Sequence, residues 1–574
     1  MNKVWKVAKT FDEEYSKQFK DWNDIIIQLF YNRGLKNKKE AESFFSPDYE
    51  KMGDPYLLKD MDKAVKRILL AIKKEENIVI FGDYDVDGLT STAVVYGILE
   101  KLTPSGKGGV KSHVSFYIPH RMQEGYGLNK KAIDFLADKK TDLIITVDNG
   151  ISNKEEVVYA KKKGIDIIIS DHHEIPKVLP NAVAVINPKR GDDKYPFKDL
   201  AGVGVAFKLV HALVIAVNKK RKKEVISPGY LKWYLDLVAL GIVSDIVPLI
   251  GENRIIAHFG LIVLAKTRNI GLKALEKVAE VNLKNSDPYM IGFQIAPRLN
   301  AAGRMAHAAT ALELLLTRDE GEAGVLALRL EKLNRERQDL ISKNIIEIKK
   351  EFGKKEPDNI ILLRNEKWTS GTIGLIAGRM SEELSRPVFC MTEERGIIKG
   401  SVRSHVDFNV IESLRCFENF FINYGGHKGA GGFSLEKNKI DLFYEQVLSY
   451  AKEKLDKRKL IDEIKIEKEI EFKEITKKLF DEIKKFEPFG EGNPEPIFVT
   501  HGVKVKEAKK VGKDSIHTKL KLIKDSVELP AILFNHGEIG DQLYYGKDID
   551  VVYKITENEW GSRRNLELKI EDLK

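Results

Sequence analysis

Three aspartates alternate along Asp83-Tyr84-Asp85-Val86-Asp87-Gly88, one glycine, Gly82, after the apolar run Ile78-Val79-Ile80-Phe81. Carboxylates this close repel one another unless something positive lies between them, and a divalent metal is the simplest such cation. The apolar run after Asn77 has the length of a buried parallel strand. The aspartates then fall at its carboxyl end, the edge at which open α/β sheets bind ligands. The same spacing opens a calcium-binding EF-hand loop, with Gly88 at the sixth position. That reading fails, because Val94 occupies the twelfth position where a bidentate Glu is required, and an apolar strand stands where a helix should precede. A solvated acidic turn remains the alternative for this stretch alone.

Two more strand-like runs end in residues of the same chemistry. Leu143 to Val147 leads into Asp148-Asn149-Gly150, and Ile167 to Ile169 leads into Ser170-Asp171-His172-His173-Glu174. One strand-end Asp is often a helix cap, and one His is usually structural. Three such ends, with Asp and His and no thiolates, match a site for a hard, oxygen-preferring ion such as Mn²⁺ or Mg²⁺, and the imidazole tilts the choice to Mn²⁺. Leu235 to Leu249 reads LDLVALGIVSDIVPL, a setting in which charge is costly unless paired or metal-bound. Asp245 is therefore a fourth ligand-bearing position, with a buried salt bridge as its alternative, while Asp236 has softer surroundings and is left out.

What must position these groups is a parallel sheet. Strand-like Val114 to Ile118 and Val183 to Ile186, alternating with helical Leu89 to Leu99, Lys130 to Leu136 and Lys154 to Lys163, give the βαβ pattern. Residues 1 to about 75 are charged and helix-leaning, with Ile25, Ile26, Ile27, Leu29 and Phe30, then Val65, Ile68, Leu69 and Ile72 on a helix that feeds the first strand. Glu320 to Phe352 carries Leu326, Leu330, Leu333, Ile341, Ile345 and Ile348 on one stripe; at about 1.5 Å per residue this helix spans roughly 50 Å and connects two domains. A second α/β unit follows, with strands at Ile360 to Leu363 and Val388 to Met391. A charged linker at Lys452 to Lys459 precedes Phe486-Glu487-Pro488-Phe489-Gly490-Glu491-Gly492-Asn493-Pro494. Five short alternating segments then suggest an OB-type barrel: Val503 to Val505, His517 to Ile523, Leu529 to Phe534, Ile549 to Ile555 and Asn565 to Ile570. Lys504, Lys506, Lys509, Lys510, Lys519 and Lys521 would make it basic. The expected division is a helical segment at 1–50, a catalytic α/β domain at 51–318, a connecting helix at 319–352, a second α/β domain at 353–455 and the barrel at 456–574.

A chain of 574 residues is too long for one core, and three or four domains are expected. A net charge of +9 hints at a polyanionic partner. Cys390 and Cys416 supply neither a disulfide framework nor zinc spacing, which fits a reducing compartment. The first residues show no apolar signal core and no run approaches membrane-spanning length, so a cytoplasmic, membrane-free protein is expected.

Groups suited to phosphate lie outside the acidic clusters. Pro297-Arg298-Leu299-Asn300-Ala301-Ala302-Gly303-Arg304-Met305 offers guanidiniums for bidentate contacts, or else a helix end with exposed arginines. Gly400-Ser401-Val402-Arg403-Ser404 and the Gly425-Gly426-His427 cluster combine backbone N–H groups that can close on an anion with directed side chains. A Gly-rich hairpin is the alternative for the second cluster.

DYDVDG, VDNG, SDHHE and the Asp245 segment, in that order over residues 78 to 250, resemble the four motifs of the DHH phosphoesterase superfamily, and the Gly-Gly-His cluster resembles that superfamily's associated substrate-binding domain. The resemblance implies a two-metal phosphoester hydrolase. Asp83, Asp85, Asp87, Asp148, His172 and Asp245 would be its metal-site residues, holding two Mn²⁺ or Mg²⁺ ions, and His173 would face the scissile phosphate. Arg304 and Arg298 would help His173 neutralise charge there, with Asn300 among the substrate contacts. Over residues 50 to 574, PRLNAAGRM and PFGEGNP narrow the likeness to members that degrade single-stranded DNA from the 5′ end in repair and recombination. By that likeness Arg121, Ser401 and Arg403, with Gly425, Gly426 and His427, would hold the 5′ phosphate, and a single-strand-binding protein and a helicase would be partners. Phe81 departs from the family's His, which removes an extra strand ligand but leaves the aspartates. Relatives that cleave short oligonucleotides or dinucleotides share the first two domains, so the barrel discriminates. Non-catalytic strand-binding scaffolds typically lose metal ligands, and here the whole set is present.

Overall fold

The computed structural model describes residues 3–103, 113–221, 225–353, 358–405, 408–455, 462–560 and 563–574. They fall into two compact units, one of residues 48–456 and one built from both 1–47 and 457–574.

In the larger unit, a five-stranded parallel sheet runs Val114–Tyr117, Ile78–Phe81, Leu143–Val147, Asp166–Ser170, Ala184–Ile186. Numbered along the chain this order is 2-1-3-4-5, so the sheet reverses between Ile78–Phe81 and Leu143–Val147. A crevice opens at the carboxyl ends at such a reversal, and these are the strands that end in Asp83 and Asp148. Both faces are covered. Ile78 and Ile80 pack with Leu89 and Phe207 on one side, and Val79 and Phe81 with Ile133 and Leu136 on the other, which is why the strands read as continuous apolar runs.

Helix Gly202–Arg221 packs against Val86–Leu102 and Leu235–Ser244. Over Gly202–Lys220 it is long and apolar enough to cross a membrane, against the expectation that no run reaches that length, but 72% of that stretch is buried inside the fold. A core helix of a large domain is apolar all round for the same reason as a membrane span.

The connecting helix spans Glu320–Phe352, as expected. Its first half packs on Ile270–Ala279 and Ala296–Met305, and its last turns on Ile373–Leu384. The second sheet runs Phe421–Gly426, Ala430–Glu436, Ile397–Arg403, Val388–Glu394, Ile361–Arg364, antiparallel except for the last pair. Of the expected charged linker, Lys452 to Lys454 finish the helix Ile440–Lys454, and 456–459 lie outside the described residues.

The smaller unit corrects the expected separate helical segment at 1–50. Strand Val4–Val7 pairs in parallel with Glu463–Ile466, and Phe19, Ile26, Leu29, Phe30 and Phe44 share one core with Phe486, Phe498 and the barrel. The barrel strands are Phe498–Val511, His517–Lys524, Val527–Leu533, Asp548–Trp560 and Arg563–Leu573, closed by the pairing of Phe498–Val511 with Asp548–Trp560. The Phe486–Pro494 segment is a clamp within this unit. Buried Asn493 donates to the carbonyls of Phe486 and Pro488 and accepts from Arg33 Nε at 2.7 Å. Four of the six lysines expected to charge the barrel meet acids: Lys506 with Glu528, Lys509 and Lys521 with Glu507, and Lys510 with Asp541.

Candidate metal centre and phosphate cleft

The triple-Asp turn is fixed by its own backbone. Asp85 caps helix Val86–Leu102, accepting from Gly88 N at 3.1 Å. A side chain at residue 88 would collide with Asp83, because a Cβ there would lie 2.6 Å from the Asp83 Cβ. Asp87 is buried, and its oxygens accept from Gly202 N (2.7 Å) and Val203 N (2.8 Å) in the first turn of the core helix, where exposed N–H groups and the helix dipole favour an anion.

Asp148 leaves its strand with φ 61°, a left-handed conformation that Asp tolerates better than most residues. The turn is locked around it: Asp148 N donates to Ser170 O, and Asn149 Nδ2 donates to the carbonyls of Phe81 and Val147. His172 is held through a backbone hydrogen bond with Leu200, which leaves Nε2 facing the carboxylates. It stands 3.2 Å from Asp148 Oδ1, 3.6 Å from Asp245 Oδ2 and 3.8 Å from Asp87 Oδ2.

All six expected ligands converge. Ligand atoms of Asp83, Asp85 and Asp148 lie within 4.8 Å of one another, as do those of Asp87, His172 and Asp245, and those of Asp148, His172 and His173. Asp83 Oδ1, Asp148 Oδ1 and His172 Nε2 are buried without hydrogen-bond partners among the described residues, which is costly unless something else satisfies them. Burial first, and then the charge of Asp85, lift Asp87 to about 7. Burial and the charges of Asp87 and Asp85 lift Asp245 to about 9, and Asp83 and Asp148 also rise well above the usual carboxylate range. Burial lowers His172 to about 3, so its lone pair is free at neutral pH. Oxygen donors with one imidazole, orphaned and crowded by like charge, fit hard divalent ions.

His173 has a different setting. Its Nδ1 is 2.8 Å from Asp171 Oδ1, and Tyr126 Oη lies 3.2 Å from the same nitrogen while donating to the Asp148 carbonyl. Burial would lower His173, but the hydrogen bond and charge of Asp171, with Asp245 and Asp83 beyond, raise it to about 9. It is an imidazolium at neutral pH. Asp171 is fully buried, also accepts from the backbone N–H groups of Ile151, His172 and His173, and drops to about 2. Asp171 and Tyr126 were missed in the sequence; the signals were the first letter of the Asp-His-His triplet and the flanking Gly125 and Gly127.

A cleft of about 790 Å³ joins His172 and His173 to Asp245, Lys189, Gly425, Gly426 and His427. Lys189 follows the strand Ala184–Ile186, a fourth strand end that sequence reasoning did not use. Ile246 lines the cleft in a strained left-handed conformation, φ 58°, with 70% of its surface exposed. A larger cavity of about 840 Å³, lined by Tyr96, Trp233 and Arg268 among others, holds none of these groups.

The arginines divide. Arg304 donates from Nη1 to Gly371 O (3.1 Å); burial and the neighbouring charges of Arg121, Arg337 and Arg403 hold it below the usual arginine range, and Asp85 opposes them. Arg121 stacks on Tyr84, 4.7 Å from its centroid. Arg403 donates to Ser401 Oγ at 2.9 Å. Arg121, Arg304, Ser401 and Arg403 thus gather as a cationic cluster suited to phosphate. Arg298 is not part of it. Its guanidinium is spent on Glu331 Oε2 (2.6 Å) and Gln294 O (2.6 Å). Asn300 Oδ1 accepts from Val86 N (3.1 Å), tying its helix to the triple-Asp turn.

A family model described as the DHH family, N-terminal domain, matches residues 77–242, one described as the DHHA1 domain matches 358–453, and one described as the RecJ OB domain matches 466–572. The chain is 36% identical over 553 residues to the single-stranded-DNA-specific exonuclease RecJ of Bacillus subtilis, covering 96% of this chain and 67% of that one. It is 32% identical over 573 residues to the protein of that name from Haemophilus influenzae, covering 95% of each. The crystal structure of RecJ in complex with Mn²⁺ from Thermus thermophilus matches with a TM-score of 0.83 at 27% identity, over 100% of this chain and 80% of that one.

Proposed function

Because the chain belongs to the RecJ family of DHH proteins, we infer that it is a metal-dependent exonuclease that hydrolyses single-stranded DNA from the 5′ end. The observation that carries this reading is the convergence of Asp83, Asp85, Asp87, Asp148, His172 and Asp245 around orphaned buried ligand atoms. Asp148 belongs to two of the candidate ligand sets, and its carboxylate has two oxygens with which it would serve neighbouring Mn²⁺ or Mg²⁺ ions. When bound, such ions supply Lewis-acid charge to the scissile phosphate and activate water for in-line attack.

The chain's own groups do the rest. His173, protonated and oriented by Asp171, faces the phosphate and neutralises charge that develops there. Arg304 shares that task, and Arg298, engaged by Glu331, leaves it to them. Arg121, Ser401 and Arg403, with the Gly425-Gly426-His427 hairpin, hold the terminal 5′ phosphate, and fixing that end sets the polarity of degradation. Residues 457–574 carry the barrel that distinguishes enzymes of long strands from relatives acting on dinucleotides. A single-strand-binding protein, a helicase and a cytoplasmic setting complete the proposal, in keeping with repair and recombination.

The test is product sizing on 5′-labelled single strands with Mn²⁺ titrated into wild type and Asp148→Ala. Wild type should release short 5′ products and spare duplex, and the variant should fail at every Mn²⁺ concentration. Undiminished degradation by Asp148→Ala would refute the metal assignment.

A further inference from the structure

Tyr289 and Phe293 stack on each other with ring centroids 4.6 Å apart and planes tilted by 28°, yet 63% and 69% of their surfaces face solvent. Isolated exposed aromatics are ordinary. A stacked pair held open to water is a preformed face for a flat partner.

The pair stands on one continuous helical run, Pro288–Met305, whose middle, Ile291–Ile295, widens to a π-turn. The same run carries Asn300 and Arg304 toward the site. Pro297, Asn300 and Arg304 follow the i, i+3, i+7 spacing of a single helix face, and Tyr289 and Phe293 precede them on the same run, across the π-turn. Eleven residues at 1.5 Å each put Phe293 about 16 Å from Arg304 along the axis. Arg304 meets Gly371 beside the cluster assigned to the 5′ phosphate, so the helix leads away from the bound strand end. A single strand advances about 3.4 Å per nucleotide when stacked and roughly 6 Å when extended, which makes the interval about three to five nucleotides.

Arg337, on the connecting helix, neighbours both Arg298 and Arg304 of this run. Its charge acts on Arg304, and Arg298 in turn acts on it. Glu331, on the same helix, is engaged by Arg298 and Arg335. Arg337 donates to Asn334 Oδ1, but its buried Nε has no partner among the described residues.

We propose that Tyr289 and Phe293 form a base-stacking platform for the substrate strand, three to five nucleotides beyond the scissile phosphate, with Arg337 taking an intervening phosphate. The inference rests on the exonuclease reading. Stacking accepts any base, because every base has a π-face, so the platform adds grip without sequence preference. It admits only unpaired bases, which reinforces single-strand selectivity.

The test compares wild type, the double variant Tyr289→Ala/Phe293→Ala and Phe293→Trp on 5′-phosphorylated oligothymidylates of two to twelve nucleotides. The double variant should raise KM about tenfold on the twelve-mer, the scale of one lost base stack. Its kcat, and its kinetics on di- and trinucleotides, should stay at wild-type values. Phe293→Trp should keep wild-type KM, and its fluorescence should be quenched by the twelve-mer in EDTA, where no turnover occurs. A twelve-mer abasic at positions three to six should quench it far less. The proposal is overturned by an unchanged KM on the twelve-mer, an equal rise at every length, or quenching indifferent to the abasic positions. A wild-type protein that degraded no single strand would overturn the exonuclease reading instead, and the EDTA arm would still report on the platform.

Discussion

Replacing Gly202 by alanine would displace a single carboxylate while leaving every proposed ligand in the chain. Gly202 opens the core helix, and its N–H already holds Asp87. A Cβ there would stand 2.5 Å from Asp148 Oδ1 and 2.7 Å from its Cβ and Cγ. Gly202 is not left-handed, so the backbone accepts alanine and the collision is the whole effect. Ordinary contact begins near 3.4 Å, so the carboxylate must withdraw by about 0.9 Å, several times the roughly 0.2 Å latitude of metal–ligand distances. Misplacement on this scale costs on the order of 10²-fold in rate, whereas overpacking costs the fold about 1–3 kcal/mol. Steady-state degradation of a single-stranded oligonucleotide, calorimetric Mn²⁺ titration and thermal melting separate the two. The expected outcome is a kcat/KM down about 100-fold and weaker Mn²⁺ binding, with cooperative melting retained. Gly204→Ala is the control on the same helix, where the nearest atom to an added Cβ is Leu200 Cδ2 at 3.3 Å, and it should behave as wild type. Wild-type kcat/KM and Mn²⁺ affinity in Gly202→Ala would show that Asp148 is not placed for ligation.

Other outcomes follow from the same geometry. Asp171→Asn removes the group that keeps His173 protonated up to about pH 9. The alkaline fall in kcat/KM should therefore move to lower pH while Mn²⁺ affinity changes little; an unmoved limb would dissociate His173 from the rate. In the metal-free protein, Asp87 and Asp245 titrate near 7 and 9 rather than in the usual carboxylate range. The folded state then binds protons that the unfolded chain does not, so stability present at about pH 4 is lost progressively as pH rises toward 9. Melting temperatures in EDTA should fall across that window and recover with Mn²⁺, and Asp245→Asn should melt higher than wild type in EDTA at pH 8. Arg403→Ala should erase any rate advantage of a 5′ phosphate over a 5′ hydroxyl without slowing the hydroxyl-ended substrate, which competition between the two labelled ends would measure.

Most of the ligands were legible because they follow an apolar strand, where a polar residue is a local pattern, and Asp245 because it interrupts the apolar stretch that forms the helix Leu235–Ser244. Their convergence depends on strand order, which is not local: nothing in the sequence says that Leu143–Val147 lies beside Ile78–Phe81. Arg298 shows the same gap from the other side. A guanidinium in PRLNAAGRM reads as a phosphate contact, but Glu331, thirty-three residues on, reaches it first. The barrel lysines alternate as a solvated strand face should, yet the register sets Lys521 opposite Glu507, so two of the expected phosphate contacts neutralise one acid. Asp171 was visible as a letter of a triplet, but its work of holding one imidazole by side chain and two by backbone needed coordinates.

The smaller unit is knitted from two stretches far apart in sequence, residues 1–47 and 457–574, with Phe30, Phe44 and Phe45 against Phe486. A ribosome emitting about 5–20 residues per second needs some tens of seconds to cover the interval between them. Throughout that delay the greasy face from Ile25 to Phe30 has been translated and its counterpart has not. The nascent chain must therefore be shielded around residues 25–30 while the larger unit folds behind them, and substitutions at Phe30 or Phe486 should lower the yield of protein made in cells before they alter the chemistry of the molecules that mature.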